Sequence, residues 1–522
     1  MIPLHEISCV ADITRYQARI NGAGIAQFFE GRETTYLELD RRASQIANGL
    51  IAAGCSPGTR IGYIGKNSDS YFEVMIGTAK ANLVMAAVNW RLAGPEIDFV
   101  LNNAEAEVLF VGAEFYQVIQ HIAPALTSLR MVIAIDDGDN SWTPFTHWRD
   151  KQSDADPLLP LDLDADVIQM YTSGTTGHPK GVQLTNSNYL DLMDQAANGG
   201  WGDWTQGEAS LVAMPIFHVA GVNIGLIGLA QGLKNVILRD IDPVLILDLL
   251  EQHRVKYVFF VPAVIMFLNS VPGVGDRDFS NLDLMLYGAS PISEDVLLTA
   301  TNIFKCHFCQ VYGLTETAGA GTILESQDHD PARGKLRSCG KPAATAEVRI
   351  LGHNGKDVPA NTVGEILYRS GSLMKGYWKN DQATAKAIQD GWFYTGDAGY
   401  LDEEGYLFIH DRIKDMIVSG GENVYPAEVE NALFNLPEIA DVAVIGVPDK
   451  KWGEAVKAVV VLKPGETANE EEIIDYAKTK IAGYKVPKSV DFIDALPRNP
   501  TGKVLKRELR AAYWDNQERQ IN

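Results

Sequence analysis

An α/β fold in more than one domain is predicted by three features of the sequence. Short apolar runs alternate with helix-period patterns from Tyr36 to Val111 and again from Val167 to Tyr312, which signals mainly parallel sheet flanked by helices. From Gly340 to Asp411 the pattern turns to short strands with many turns, which predicts a small β subdomain. A chain of 522 residues is too long for one ordinary core, and residues 413–522 carry enough pattern for a separate α+β domain.

Taken in order, Leu37 to Gly54 reads as an amphipathic helix closed by glycine, Arg60 to Ile64 as a strand and Ser70 to Ala81 as a helix. Val84 to Val88 reads as a strand, Pro95 to Asn103 as a helix begun by proline, and Val108 to Val111 as a strand. After the strand-like Met131 to Ile135, residues 136–166 are irregular and acidic. Pro157 and Pro160 mark that stretch as a connection between two subdomains. Further strands are expected at Val167 to Tyr171, Leu211 to Met214, Val236 to Leu238, Tyr257 to Val261, Leu284 to Tyr287 and His307 to Tyr312. The β subdomain shows AEVRI, GEILYRS, GWFYTGD and GYLFIHD. Beyond it come a helix at Ala427 to Phe434, strands at Val442 to Val447 and Ala455 to Leu462, a helix at Glu470 to Ile481 and a strand at Ser489 to Phe492. The expected division is 1–412 and 413–522.

Composition narrows the function. Against 45 basic residues stand 67 acidic ones, a formal charge of −22 that disfavours nucleic-acid binding, so any phosphate ligand needs a local basic cluster. Five scattered cysteines do not make a disulfide framework. Cys306 and Cys309, three apart on a strand, point to opposite faces and lack a second pair, which argues against a zinc site. The first residues lack a basic region followed by an apolar core, consistent with a cytoplasmic protein. Ala209 to Leu233 carries no charge and is long enough to span a membrane, but Pro215, His218, Asn223 and four glycines favour a buried strand and helix. Peripheral membrane contact and a homodimer both stay open.

Six stretches carry chemistry. Tyr171 to Val182, YTSGTTGHPKGV, packs three glycines, four Ser/Thr hydroxyls and Lys180 behind an apolar strand. Such a loop suits phosphate, although a mobile surface loop has the same composition. It is not a Walker A loop, because Lys180 follows proline and no Ser/Thr follows the lysine. Leu286 to Pro291, LYGASP, ends a strand with small residues that let a flat ring approach, and its proline is expected to begin a helix. Gln310 to Thr317, QVYGLTET, turns at Gly313 and places Thr315 and Glu316 at the carboxyl end of a sheet, where open α/β sheets bind ligands. A carboxylate there can hold Mg²⁺ against phosphate; Thr315 could equally be a helix N-cap. Tyr394 to Asp397, YTGD, offers a carboxylate that is also a common turn residue. Asp411 to Pro426, DRIKDMIVSGGENVYP, and Asn499 to Arg507, NPTGKVLKR, complete the set, each also readable as solvated surface.

TSGTTGHPKG resembles the signature loop of the acyl-adenylate-forming superfamily, and the other five stretches are similar to that family's motifs in the same order. The resemblance is nearest to bacterial fatty-acyl-CoA ligases. It implies a large N-terminal domain of two α/β sheet subdomains plus a small β subdomain, a five-layered α/β/α/β/α body, followed by a small mobile α+β domain. ATP, Mg²⁺ and CoA are the implied cofactors, with a small-molecule carboxylic acid as partner. Thr172, Ser173, Gly174, Thr175, Thr176, Gly177 and Lys180 are implied on the β- and γ-phosphates. Gly288, Ala289, Ser290 and Tyr312 fall at adenine, Gly313 belongs to the nucleotide-binding set as the turn residue, Thr315 falls at the α-phosphate and Glu316 at the metal. Asp397 and Arg412 fall at the ribose, Lys414 at the hinge, Gly420 and Gly421 at a thiol tunnel. Lys503 is implied as the lysine of the adenylation step, where charge gathers on pentacoordinate phosphorus.

The acyl pocket implied by the resemblance comprises His218, Val219, Ala220, Gly221, Asn223, Tyr287 and Gly319. Amino-acid-activating relatives carry an aspartate where His218 stands, so an α-amino acid is disfavoured. Small residues around His218 and at Ala318 to Gly321 leave room for a medium- or long-chain fatty acid. An aryl acid of the cinnamate or benzoate type is the alternative. A luciferase-like oxygenase and a non-catalytic nucleotide-binding protein are readings of other classes.

Overall fold

The computed structural model describes residues 6–136, 141–160, 162–172, 179–198, 201–352, 354–412, 415–419, 422–449, 451–498 and 504–514, without the side chains of residues 411, 412, 422 and 423. It is built around two large sheets. The eight-stranded sheet runs in the order Gly376–Tyr377, Lys180–Thr185, Asp166–Thr172, Val84–Ala87, Arg60–Ile64, Val108–Val111, Met131–Ala134, Thr143–Pro144. From Asp166–Thr172 onward the neighbours are parallel, and the first two strands are antiparallel additions. The nine-stranded sheet is parallel from His307–Tyr312 through Leu284–Gly288, Val255–Phe260, Ala209–Val212 and Lys234–Ile237 to Ile25–Phe29, with antiparallel strands at both ends.

Alternation along the strands assigns each face to a core. Ile61, Tyr63, Val108 and Phe110 join the central core, whereas Ile64, Leu109 and Val111 face an outer core with the helix Gly94–Ala104. In the second sheet Leu284 and Leu286 face the central core, and Met285 and Tyr287 face an outer one with the helices Pro243–Gln252, Pro262–Asn269 and Glu294–Phe304. Helices thus lie between the sheets and outside both. The uncharged run forms a strand, Ala209–Val212, and the buried helix Val219–Ala230. Among the described residues no helix is long and apolar enough to cross a membrane.

Three expectations are corrected. Asp166–Thr172 returns to the first sheet and pairs in parallel with Val84–Ala87, so the Pro157/Pro160 connection does not divide the two sheets. Residues 136–166 are not wholly irregular, because Phe145–Arg149 forms a helix whose Phe145 and Trp148 pack edge-on against Phe110 at 5.8 and 5.7 Å between ring centroids. Pro291 does not begin a helix: Ser293 caps Glu294–Phe304 by accepting the Val296 N–H.

The small β sheet contains Glu347–Leu351, Gly364–Arg369, Trp392–Leu401, Ile388–Gln389 and Leu407–Arg412. A last sheet pairs Ile439–Asp449 with Gly453–Leu462, flanked by Ile417–Ser419, Glu422–Val424 and Ser489–Phe492, and packs its own apolar cluster against the helices Pro426–Leu433 and Glu470–Lys478. It is the smaller C-terminal domain.

Candidate active site

The strand His307–Tyr312 ends at a tight turn. A Cβ on Gly313 would lie 2.4 Å from the carbonyl carbon of Gly319, so glycine is what lets the chain fold back there. The Leu314 N–H donates to Thr317 Oγ1 at 3.0 Å, closing the short 3₁₀ turn Thr315–Thr317. Thr315 and Glu316 therefore sit at the carboxyl edge of the sheet, 8 and 9 % exposed, and Thr315 is not an N-cap. The Met374 N–H donates to the Glu316 carbonyl at 2.8 Å, and the Tyr377 phenol donates to Glu316 Oε1 at 2.9 Å.

Lys180 approaches the same carboxylate from the other sheet. Asp166–Thr172 and Lys180–Thr185 are antiparallel with Thr172 opposite Lys180, so Lys180 opens the second strand beside the end of the first. Ser173, Gly174, Thr175, Thr176 and Gly177 lie outside the described residues. The Lys180 ammonium lies 3.9 Å from the centroid of the Tyr377 ring. Burial lowers its pKa, the Glu316 charge opposes that shift, and Lys386 adds to it.

At the end of the neighbouring strand, a Cβ on Gly288 would come 2.1 Å from the Val311 carbonyl oxygen, so this glycine permits the contact between the two strands. Ala289 follows at φ +69°, a left-handed conformation that costs a non-glycine residue about 1–2 kcal/mol. Ser290 is half-buried. The Tyr312 phenol donates to Asp397 Oδ2 at 2.7 Å, joining the end of the large sheet to the YTGD strand. Asp397 pairs in register with Arg412. Gly396, at φ +70°, donates its N–H to Glu365 Oε1 at 3.2 Å. Burial raises the Glu365 carboxyl above its ordinary range; that N–H opposes the shift and the Asp397 charge adds to it.

His218 caps the helix Val219–Ala230, its Nδ1 accepting the Ala220 N–H at 3.2 Å, which leaves the proton on Nε2. Asn223 donates from Nδ2 to the Ala318 carbonyl at 2.7 Å. Asn67, which sequence reasoning passed over, holds this segment in place. Its Nδ2 donates to the Met214 and Leu238 carbonyls, both at 3.0 Å, and its Oδ1 accepts the Ile216 N–H, also at 3.0 Å.

One pocket assignment is corrected. Tyr287 faces the outer core, away from Val219, and its hydroxyl pairs with His329 Nε2 at 3.0 Å. Cβ atoms on Gly221 and Gly319 would lie 2.3 Å from the Pro215 carbonyl oxygen and 3.0 Å from Asn223 Nδ2. At both glycines the Cβ position is already taken by these neighbours, so the close packing there calls for glycine.

The backbone of Arg412 is described in the strand Leu407–Arg412, but its side chain is not. Lys414, Gly420, Gly421 and Lys503 lie outside the described residues. Among the described residues no three His, Cys, Asp or Glu side chains cluster as a metal cage. A single buried carboxylate, Glu316, fits Mg²⁺, which binds through one or two carboxylates with phosphate oxygens supplying the rest.

The AMP-binding enzyme family model matches residues 15–378 and the AMP-binding enzyme C-terminal domain matches 428–503. The fatty acid–[acyl-carrier-protein] ligase ScoC of Streptomyces coeruleorubidus is 37 % identical over 99 % of both chains. A feruloyl-CoA synthase of an Amycolatopsis species is 38 % identical over 95 % of this chain and 97 % of its own. A solved Mycobacterium tuberculosis fatty acyl CoA synthetase superposes with a TM-score of 0.78 at 32 % identity, covering 98 % of this chain and all of that one.

Proposed function

The chain belongs to the AMP-binding enzyme family as an AMP-forming acid–CoA ligase using ATP, Mg²⁺ and CoA, and on that premise we propose that its acid is a medium- or long-chain fatty acid and its acceptor free CoA. One observation carries the substrate reading. Around the start of the helix Val219–Ala230 the side chains are Phe217, Val219, Val222 and Ile224, with His218 and Asn223 the polar ones, and residues 217–224 include no acidic side chain to pair with an ammonium. A fatty acid ligase is also among the relatives that match nearly the whole chain.

The acid's carboxylate oxygen attacks the α-phosphorus of ATP, forming the acyl–phosphate bond as the bond to pyrophosphate breaks. The thiol of CoA, losing its proton, then attacks the acyl carbon, forms the thioester and expels AMP. In this reading Tyr312 and Asp397 hold adenine and ribose, Thr315 orients the α-phosphate, and Lys180 meets the pyrophosphate oxygens. Glu316 holds Mg²⁺, which supplies charge neutralisation to the triphosphate. Lys503 belongs to the first step and leaves with the small domain before the second, turning about Lys414.

A second reading, an aryl acid, is supported by the feruloyl-CoA synthase that matches 95 % of this chain. A panel of acids from acetate to palmitate plus ferulate, followed by AMP release with CoA, separates the two. A kcat/KM maximum among the longer fatty acids supports the proposal, and a maximum at ferulate replaces it.

A further inference from the structure

Residues 374–378 touch both halves of the phosphate site. The strand Gly376–Tyr377 adds to the edge of Lys180–Thr185, with Gly376 opposite Gln183 and Tyr377 opposite Val182. Lys375 donates its N–H to the Gln183 carbonyl at 3.0 Å and Trp378 its N–H to the Gly181 carbonyl at 2.7 Å. One residue earlier, Met374 grips the Glu316 carbonyl at 2.8 Å. This peptide joins the strand that leaves the phosphate loop, in one sheet, to the carboxylate turn that ends the other.

Tyr377 makes the same link with its side chain. The residue is 5 % exposed, its phenol donates to Glu316 Oε1 at 2.9 Å, and its ring face lies 3.9 Å from the Lys180 ammonium. The ring attracts the cation through its negative face, while the hydroxyl fixes the carboxylate's rotation. With Oε1 occupied by the phenol, Oε2 is the oxygen presented to a cation.

We propose that Tyr377 is the positioning residue that locks the Glu316 carboxylate and the Lys180 ammonium into one preorganised unit for Mg·ATP. The inference rests on the assignment of Glu316 to the metal made above. Preorganised charges matter because each spares reorganisation when the α-phosphorus is attacked. Mg·ATP is consumed in the first half-reaction, so the effect belongs to that step.

The test uses the full chain with Tyr377→Phe, which keeps the ring and removes the donor, and Glu316→Gln as reference. Binding of Mn·ATP by calorimetry and by manganese electron paramagnetic resonance is measured apart from turnover. Acyl-AMP formation and thioester formation from supplied acyl-AMP are then followed separately. Losing one hydrogen bond to a charged group is expected to weaken Mn·ATP binding about tenfold in Tyr377→Phe and to slow acyl-AMP formation to a similar extent. Thioester formation should be unchanged. A merely structural role would slow both half-reactions alike and leave the Mn²⁺ spectrum as in wild type; either result overturns the proposal. If Glu316→Gln also leaves Mn·ATP binding unchanged, the metal assignment itself fails. If Glu316→Gln weakens binding and Tyr377→Phe does not, only the proposal falls. Should Tyr377→Phe not fold, a double-mutant cycle of Tyr377→Leu with Lys180→Met tests the same link. Losses in Mn·ATP affinity that overlap support the coupling, and losses that simply multiply overturn it.

Discussion

Lys80 is fully buried and donates to Asp40 Oδ1 at 2.6 Å, Asp156 Oδ2 at 2.7 Å and Ser44 Oγ at 2.9 Å. Removing one partner of such a group strands the others, which typically costs about 3–5 kcal/mol. Lys80→Met is therefore expected to lower unfolding free energy by that amount in a denaturant titration, far more than loss of the exposed Arg41–Asp154 pair. Gly288→Ala is expected to destabilise by about 1–3 kcal/mol, the usual cost of overpacking, because its methyl would meet the Val311 carbonyl. The same change should weaken ATP binding, since the Val311 strand carries Tyr312. Gly288 was legible as a small residue at a strand end, but the strand contact that demands it was not. Asn67 was not legible at all: its three partners lie more than a hundred residues away, and local sequence carries no trace of them.

Among the elements, the helix Asp12–Asn21 and the connection around Asp156 form an acid-sensitive joint. Burial pushes the Asp156 carboxyl up, but hydrogen bonds from Arg15 at 2.7 Å and from Lys80 outweigh it and hold the group well below the usual carboxylate range. A depressed folded-state pKa contributes stability that is present above the unfolded value of about 3.9 and is lost as pH falls below it. Stability measured by urea titration should thus fall between about pH 4 and pH 2 in the wild type. Asp156→Asn should flatten that limb while lowering stability at pH 7. An unchanged acid limb would remove Asp156 from the joint. The helix Val219–Ala230 was readable from its uncharged, glycine-rich run, because a helix apolar on every side has to be buried. The sheet to which Asp166–Thr172 belongs was not readable, since a parallel strand's partner is set by packing between distant segments. The little strand Gly376–Tyr377 was missed for a related reason: two residues show no alternation.

Across the whole molecule, six short stretches in a fixed order specified the chemistry through their resemblance to one family, whereas most of them taken singly also read as ordinary turn, cap or surface. Geometry then joined Tyr312 to Asp397 and Lys180 to Glu316 by way of Tyr377. Which acid enters could not be read in the same way, because Gly221 and Gly319 have close neighbours at their Cβ positions, so their small size does not report the length of an acyl chain. The division of labour between the two domains yields the most demanding prediction. If Lys503 reaches the α-phosphate only in the adenylating arrangement, Lys503→Ala should slow acyl-AMP formation by about 10²–10³-fold, the cost of losing one transition-state donor. Thioester formation from supplied acyl-AMP should then proceed at the wild-type rate. Lys180→Ala should slow the first step less, because its charge meets the leaving pyrophosphate and Glu316 and Mg²⁺ share that load. Lys414→Pro, which restricts backbone rotation at the hinge, should show the converse pattern, with acyl-AMP formed normally and thioester formation slowed. Single-turnover measurements of pyrophosphate and thioester release resolve all three variants. A larger first-step loss in Lys180→Ala than in Lys503→Ala would return the phosphate loop to the centre of catalysis, and a Lys503→Ala enzyme impaired in thioester formation alone would invert the assignment of the two arrangements.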